Sequence, residues 1–150
     1  TKTPMGKFTY NGQTLDSTME FNRQNMLVKL GLKYLHAPYL WGGRSLFGID
    51  CSGLTQILYK MIGIQLPRDA KDQIHLGESI DFLSSARAGD LAFFVNNNGR
   101  IHHVGMVTEP NRILHASGEV RVDFLDHEGI YQKKRRAYSH KLRIIKRILH

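Results

Sequence analysis

A single cysteine, Cys51, stands among the 150 residues, so no internal disulfide can form. Its thiol is either a small buried hydrophobe or a reactive group, and the redox compartment is unreadable from it. Prolines number only four, no stretch is of low complexity, and 41% of residues are hydrophobic, which argues against a disordered chain. No apolar run approaches the roughly eighteen residues that a membrane-spanning helix needs. The chain opens at Thr1 without a charged-then-apolar leader, which fits a processed secreted protein or a piece of a longer one. A zinc site is not expected, because His102, His103 and His115 lack a ligand spacing and a second cysteine is missing. No metal and no cofactor are anticipated.

Acidic side chains are in the minority: 21 Lys and Arg against 13 Asp and Glu leave a net charge of +8. That balance speaks to partners and not to fold. The densest basic run, Lys133-Lys134-Arg135-Arg136, has only Tyr131 and Tyr138 beside it and carries no groove-reading or RNA-binding motif, so nucleic acid is not expected. Anionic polymers, acidic peptides or a phospholipid surface would attract the same charge, and a solvated basic face would look no different.

What is present reads as one domain of ordinary size. Asn11-Gly12 between Lys7-Phe8-Thr9-Tyr10 and Gln13-Thr14-Leu15 signals a small hairpin. Ser17-Thr18-Met19-Glu20 has the form of a capping box, and Met26, Leu27, Leu30 and Tyr34 follow at helical spacing, predicting a helix from about Thr18 to Tyr34. After a loop with Pro38 and Gly42-Gly43, the residues Leu54, Ile57, Leu58, Met61 and Ile62 repeat with the helical period. Asp50 is a good N-cap for that helix and places Cys51 in its first turn. A short helix is predicted around Asp69 to His75. Strands are predicted at Leu91–Val95, Ile101–Thr108, Ile113–Ala116, Val120–Leu125 and Lys141–Ile148. Helices first and consecutive strands after predict an α+β domain with an antiparallel sheet.

Thiol catalysis needs a thiolate, and a helix N-terminus favours that charged form through its free N–H groups and dipole. Gly53 removes a side chain where such a helix packs closely against a strand, and Ser52 adds an exposed hydroxyl near the sulfur. A thiolate also needs a proton acceptor. In the strand after Asn96–Gly99, His103 shares a face with Ile101, Gly105 and Val107, whereas His102 lies on the other face. Gly105 beside His103 favours His103 as the base, with His102 exposed or loop-facing. His115, in a strand that would follow as a hairpin neighbour, can orient the base by accepting its second ring N–H.

These residues resemble the NlpC-type family of cell-wall cysteine peptidases, a papain-like group, over roughly Gln24 to the C-terminus. The motifs that carry the likeness are Pro38-Tyr39-Leu40-Trp41-Gly42-Gly43, Asp50-Cys51-Ser52-Gly53-Leu54, Leu66-Pro67-Arg68, Ala88-Gly89-Asp90-Leu91-Ala92-Phe93-Phe94, His103-Val104-Gly105 and Leu114-His115-Ala116. Ile49 stands where the family often has an aromatic residue, and the run near Lys133 matches no motif.

The resemblance implies a papain-like fold whose N-terminal helices pack on an antiparallel sheet of about five to six strands. Residues 1–20 would be an extension or linker and 21–150 the peptidase domain. It implies Cys51 as nucleophile, His103 as base, His115 as orienter and Tyr39 as oxyanion donor. Asp50 and Ser52 would line the subsite for the substrate's amino end, with Trp41 and Arg68 as further substrate contacts. The implied reaction is hydrolysis of peptidoglycan stem peptides at the γ-D-glutamyl-diamino acid bond through an acyl-enzyme. A thiol amidase or acyltransferase on the same scaffold, or a non-catalytic wall-binding module, is the alternative. The implied setting is the cell envelope, periplasm or exterior, with an anionic wall surface as a further partner and a monomeric chain.

Overall fold

A computed structural model describes residues 22–150 and the backbone of β1 (Lys2–Thr3) and β2 (Gly6–Lys7), which pair antiparallel. The predicted Asn11-Gly12 turn and the Ser17–Glu20 capping box lie outside the described residues. Helix α1 (Arg23–Leu32) is capped instead by Asn22, whose side chain accepts from Asn25 N–H at 3.0 Å. A short hairpin of β3 (Arg44–Ser45) and β4 (Gly48–Ile49) leads into α2 (Cys51–Met61). Then come α3 (Ala70–Gln73), β5 (Glu78–Ile80) and a 3-10 turn at Leu83–Ser85. The remainder is β6 (Leu91–Val95), β7 (Ile101–Glu109), β8 (Arg112–Ser117), β9 (Glu119–Leu125), β10 (Gly129–Gln132) and β11 (Ala137–Arg147).

The strands lie in the order β10-β9-β8-β7-β6-β11-β5, and β11 also pairs with β10. The six strands from β6 to β11 therefore close into an antiparallel ring, with β5 added beside β11. Closure removes most free edges, which open sheets must otherwise protect. The basic run Lys133–Arg136 is the turn between β10 and β11.

Two apolar layers follow from the period of two along each strand. Leu91 and Phe93 of β6, Val104 and Met106 of β7, and Leu114 and Ala116 of β8 face the helices, where they bury Leu27 of α1 and Leu54 and Leu58 of α2. The alternate residues Ala92, Phe94, Val107 and Ile113 join Leu125, Ile130 and Ile145 in a second core inside the ring. Helix α2 is thus pinned on the sheet by its apolar stripe. Its N-terminal end is tied to α3 by buried Gln73, which donates to Ser52 C=O at 3.1 Å and accepts from Thr55 Oγ1 at 2.8 Å.

Candidate active site

Asp50 closes the N-terminus of α2 as the sequence predicts: its Oδ1 accepts from Gly53 N–H at 2.7 Å. Its Oδ2 accepts from Gly42 N–H at 2.8 Å, binding the Pro38–Gly43 loop to the helix start. Arg68 completes the arrangement with a fork: Nη1 to Oδ1 at 2.9 Å and Nη2 to Oδ2 at 2.6 Å. Burial works against the charge of Asp50, yet the Arg68 fork and the two backbone donors outweigh it and hold the carboxyl below its ordinary value. Ser52 is buried and not the exposed hydroxyl the sequence suggests; its Oγ accepts from Arg68 Nη1 at 2.9 Å. Gly53 is required by the Gly43 loop, since a Cβ there would lie 2.5 Å from Gly43 C=O.

Cys51 occupies the first turn of α2, where the nearby N–H groups of Val104, Ser52 and Cys51 itself favour the charged form of the sulfur. These donors do not produce the lowered thiol that a helix N-terminus suggests. Burial pushes the Cys51 thiol up, and the Asp50 carboxylate pushes in the same direction. The resting group is a thiol.

Strand β7 crosses α2 at this point. The two neighbouring histidines fall on opposite faces: His102 is exposed at the cleft rim, and His103 is buried and turned toward β8. His103 Nε2 lies 2.9 Å from His115 Nδ1. Gly105 makes this approach possible, because a Cβ there would sit 2.9 Å from His115 Cβ and 2.7 Å from Ile113. Burial pushes His103 well below the ordinary imidazole value, and His140, His115 and His102 add to that.

Two partners escaped the sequence reading. His115 Nε2 lies 2.9 Å from Asp123 Oδ2, and Arg121 holds the same carboxylate through Nε at 2.7 Å and Nη2 at 3.1 Å. His140 of β11 stacks on the His103 ring, 4.0 Å between centroids and 25° between planes. Its Nδ1 is 2.7 Å from Ser139 Oγ, and burial with its neighbouring imidazoles lowers it to about 4.

His103, His115 and His140 offer ring nitrogens within 4.8 Å of one another. The set does not suit a metal: lone pairs lie in the ring planes, and two stacked rings direct them side by side instead of at one point. The His103–His115 contact has the length of a hydrogen bond.

A cleft of about 450 Å³ gathers Tyr39, Trp41, Asp50, Cys51, Ser52 and Arg68, all six singled out in the sequence, and its far wall is Ile101 and His102. Tyr39 is held by its N–H on Gly118 C=O at 2.9 Å, and Trp41 is an 85% exposed rim residue. A larger cleft of about 960 Å³ lies over β8 to β10, between Arg112, Phe124, Lys133 and Lys134, and is lined by neither a cysteine nor a histidine. Chemistry, not volume, marks the smaller cleft as the site.

With this geometry in hand, comparison with known proteins decides the family. The NlpC/P60 family model matches residues 36–139. This chain belongs to the NlpC/P60 family. It is 39% identical over 121 residues to the γ-D-glutamyl-L-lysine dipeptidyl-peptidase of Bacillus subtilis, a match covering 75% of the chain and 40% of that relative. The chain thus spans less than half of that relative's length. A crystal structure of an NlpC/P60 family protein from Bacillus cereus superposes with a TM-score of 0.73 and 32% identity, over 85% of this chain and 40% of the other. RipD of Mycobacterium tuberculosis, described as a non-catalytic NlpC/P60 domain protein adapted to peptidoglycan binding, shares the fold at TM-score 0.68 and 22% identity, over 86% of this chain and 99% of the other. Membership therefore establishes the fold, and the activity has to be argued from the site. Among the described residues no helix is long and apolar enough to cross a membrane.

Proposed function

We propose that this NlpC/P60 domain is a cysteine peptidase that cleaves peptidoglycan stem peptides at the γ-D-glutamyl-diamino acid bond. The observation that carries the reading is Cys51 at the start of α2, in a cleft with Tyr39, next to a β7 strand whose His103 is coupled to His115. A wall-binding module has no use for that set. The printed activity of the Bacillus subtilis relative supports the choice of bond.

Because the resting pair is a thiol and a neutral imidazole, the proton must move as the bond forms. Sγ attacks the γ-glutamyl carbonyl carbon while the S–H proton passes to His103, and the carbonyl electron pair moves to oxygen. Tyr39 O–H and Cys51 N–H face that oxygen. Collapse expels the diamino acid's amine, which takes the proton back from His103, and water then hydrolyses the thioester by the reverse sequence. No cofactor enters.

Substrate selection falls to the Asp50–Arg68 pair. Both Asp50 oxygens are occupied, so a substrate ammonium must exchange with Arg68, whose side chain is 31% exposed and free to turn to a substrate carboxylate. A stem with a free L-alanine amine fits this exchange, with its ammonium at Asp50 and the glutamate α-carboxylate at Arg68. Such a substrate belongs to the envelope or the exterior of the cell.

Digestion of sugar-free stem peptides, whose L-alanine amine is free, with the new ends identified by mass spectrometry, tests the reading. We expect products ending in γ-D-glutamate and an acetyl cap on L-alanine to abolish most cleavage. Cleavage at any other bond of the stem, or equal cleavage with and without the cap, would contradict it.

A further inference from the structure

We propose that Asp123, clamped by Arg121, is a positioning residue that fixes the tautomer of both histidines and leaves His103 Nδ1 as the basic nitrogen. This rests on the peptidase reading above for its consequence in turnover, though not for its geometry.

Protons follow from the acceptors, starting at the deepest one. An ionised Asp123 can only accept, so the nitrogen 2.9 Å from its Oδ2, His115 Nε2, carries a hydrogen. Arg121 already neutralises that carboxylate through two contacts, at 2.7 and 3.1 Å. His115 is fully buried, and burial together with the Arg121 charge lowers it more than Asp123 raises it, so its ring is neutral. A neutral ring with hydrogen on Nε2 has its lone pair on Nδ1. The partner of that lone pair, His103 Nε2 at 2.9 Å, is therefore the N–H of its own ring. The lone pair of His103 is left on Nδ1, which has to take the Cys51 proton in the proposed reaction. The opposite tautomer would place a lone pair against the Asp123 carboxylate, a repulsion in a buried setting.

Burying an aspartate and clamping it with an arginine is costly, and burying His115 alone would not require it. Strand register supplies the contact: His115 of β8 stands opposite Arg121 of β9, and Asp123 is two residues further along the same face.

Imidazole 15N NMR on histidine-labelled protein tests this, with His103 and His115 resonances assigned by His103→Asn and His115→Asn. In the wild type we expect a bare Nδ1 and a protonated Nε2 on both rings. Asp123→Ala should mix the tautomers on both rings and lower kcat on the order of 100-fold with little change in KM, since the general base is then misplaced for part of the time. Asp123→Asn, the variant more secure in folding, keeps an acceptor. His115 Nε2 donates to the Oδ2 position and the Arg121 cation approaches it most closely, Nε at 2.7 Å, so the amide oxygen is retained there. Its tautomers and most of its kcat should survive. A protonated Nδ1 on wild-type His103, unchanged tautomers in Asp123→Ala, or loss of kcat in Asp123→Asn with tautomers intact would each overturn the proposal. Turnover surviving Cys51→Ala would instead remove the peptidase reading and leave the NMR pattern standing.

Discussion

Two Arg–Asp pairs flank this site and do different work. Asp50–Arg68 sits on the cleft side, where the carboxylate caps α2, anchors the Gly42 loop and lines the substrate pocket. Asp123–Arg121 sits behind the histidines, with its carboxylate on His115. Both carboxyls are held below their ordinary value against the opposing effect of burial, Asp50 by Arg68 and backbone N–H groups, Asp123 by His115 and Arg121. The difference teaches that an identical ion pair can serve the nucleophile's helix or the base's tautomer, according to what its carboxylate touches.

The largest effect should separate the neighbouring histidines on the base side. His103→Ala should lower kcat by about 100-fold or more through loss of the general base, whereas His102→Ala, at the rim, should cost only a few-fold, roughly what a lost peripheral contact is worth. Equal losses at both positions in steady-state assays would break the assignment of faces.

On the cleft side, Asp50→Ala should cut kcat/KM for a stem peptide with a free amine and have much less effect on an acetyl-capped one. It should also lower stability by about 1 kcal/mol or more, the worth of an N-cap, because Arg68 loses its partner too. Thermal melts and kinetics on the same preparation check both halves. The stability contribution has a defined pH window. A carboxyl whose folded pKa is depressed stabilises the fold above its unfolded value, near 4, and loses that contribution as pH falls below it. Wild-type stability should therefore drop between about pH 5 and pH 3, and less steeply in Asp50→Asn.

A smaller effect concerns the thiol itself. Burial and Asp50 raise Cys51, so iodoacetamide labelling should climb with a midpoint above the ordinary thiol value of about 8.5. Asp50→Asn should move the midpoint down. Rapid labelling at neutral pH would show that the helix N-terminus dominates after all. The smallest effect is expected far from both pairs: Lys133→Ala with Lys134→Ala, in the β10–β11 turn, should leave turnover of a soluble peptide unchanged.

The cleft side was far more legible in the sequence than the base side, for a physical reason. Cys51, Asp50, Ser52 and Gly53 are contiguous, and a helix start imposes fixed roles on neighbours, so capping chemistry places them without tertiary information. The five predicted strands and α2 came from strong periodicity. β5, β10 and the β3–β4 hairpin are only two to four residues long and carry no usable alternation. Ring closure by β11 with β6 is a long-range event that no local pattern encodes. His140 reaches His103 only through that closure. Asp123 was closer to legible: a turn at Gly118, with Ser117 opposite Glu119, sets a register that puts His115 opposite Arg121. Ser52 was misplaced because its exposure depends on Arg68, sixteen residues away. The thiol's direction was misjudged because the dipole is a local signal and desolvation is not.

The central claim is most directly tested by cleavage of L-Ala-γ-D-Glu-diaminopimelate by the wild type and by Cys51→Ala, followed by mass spectrometry. We expect the wild type to release L-Ala-D-Glu and the free diamino acid, and Cys51→Ala to release neither. Release of the same products by both proteins would contradict the account.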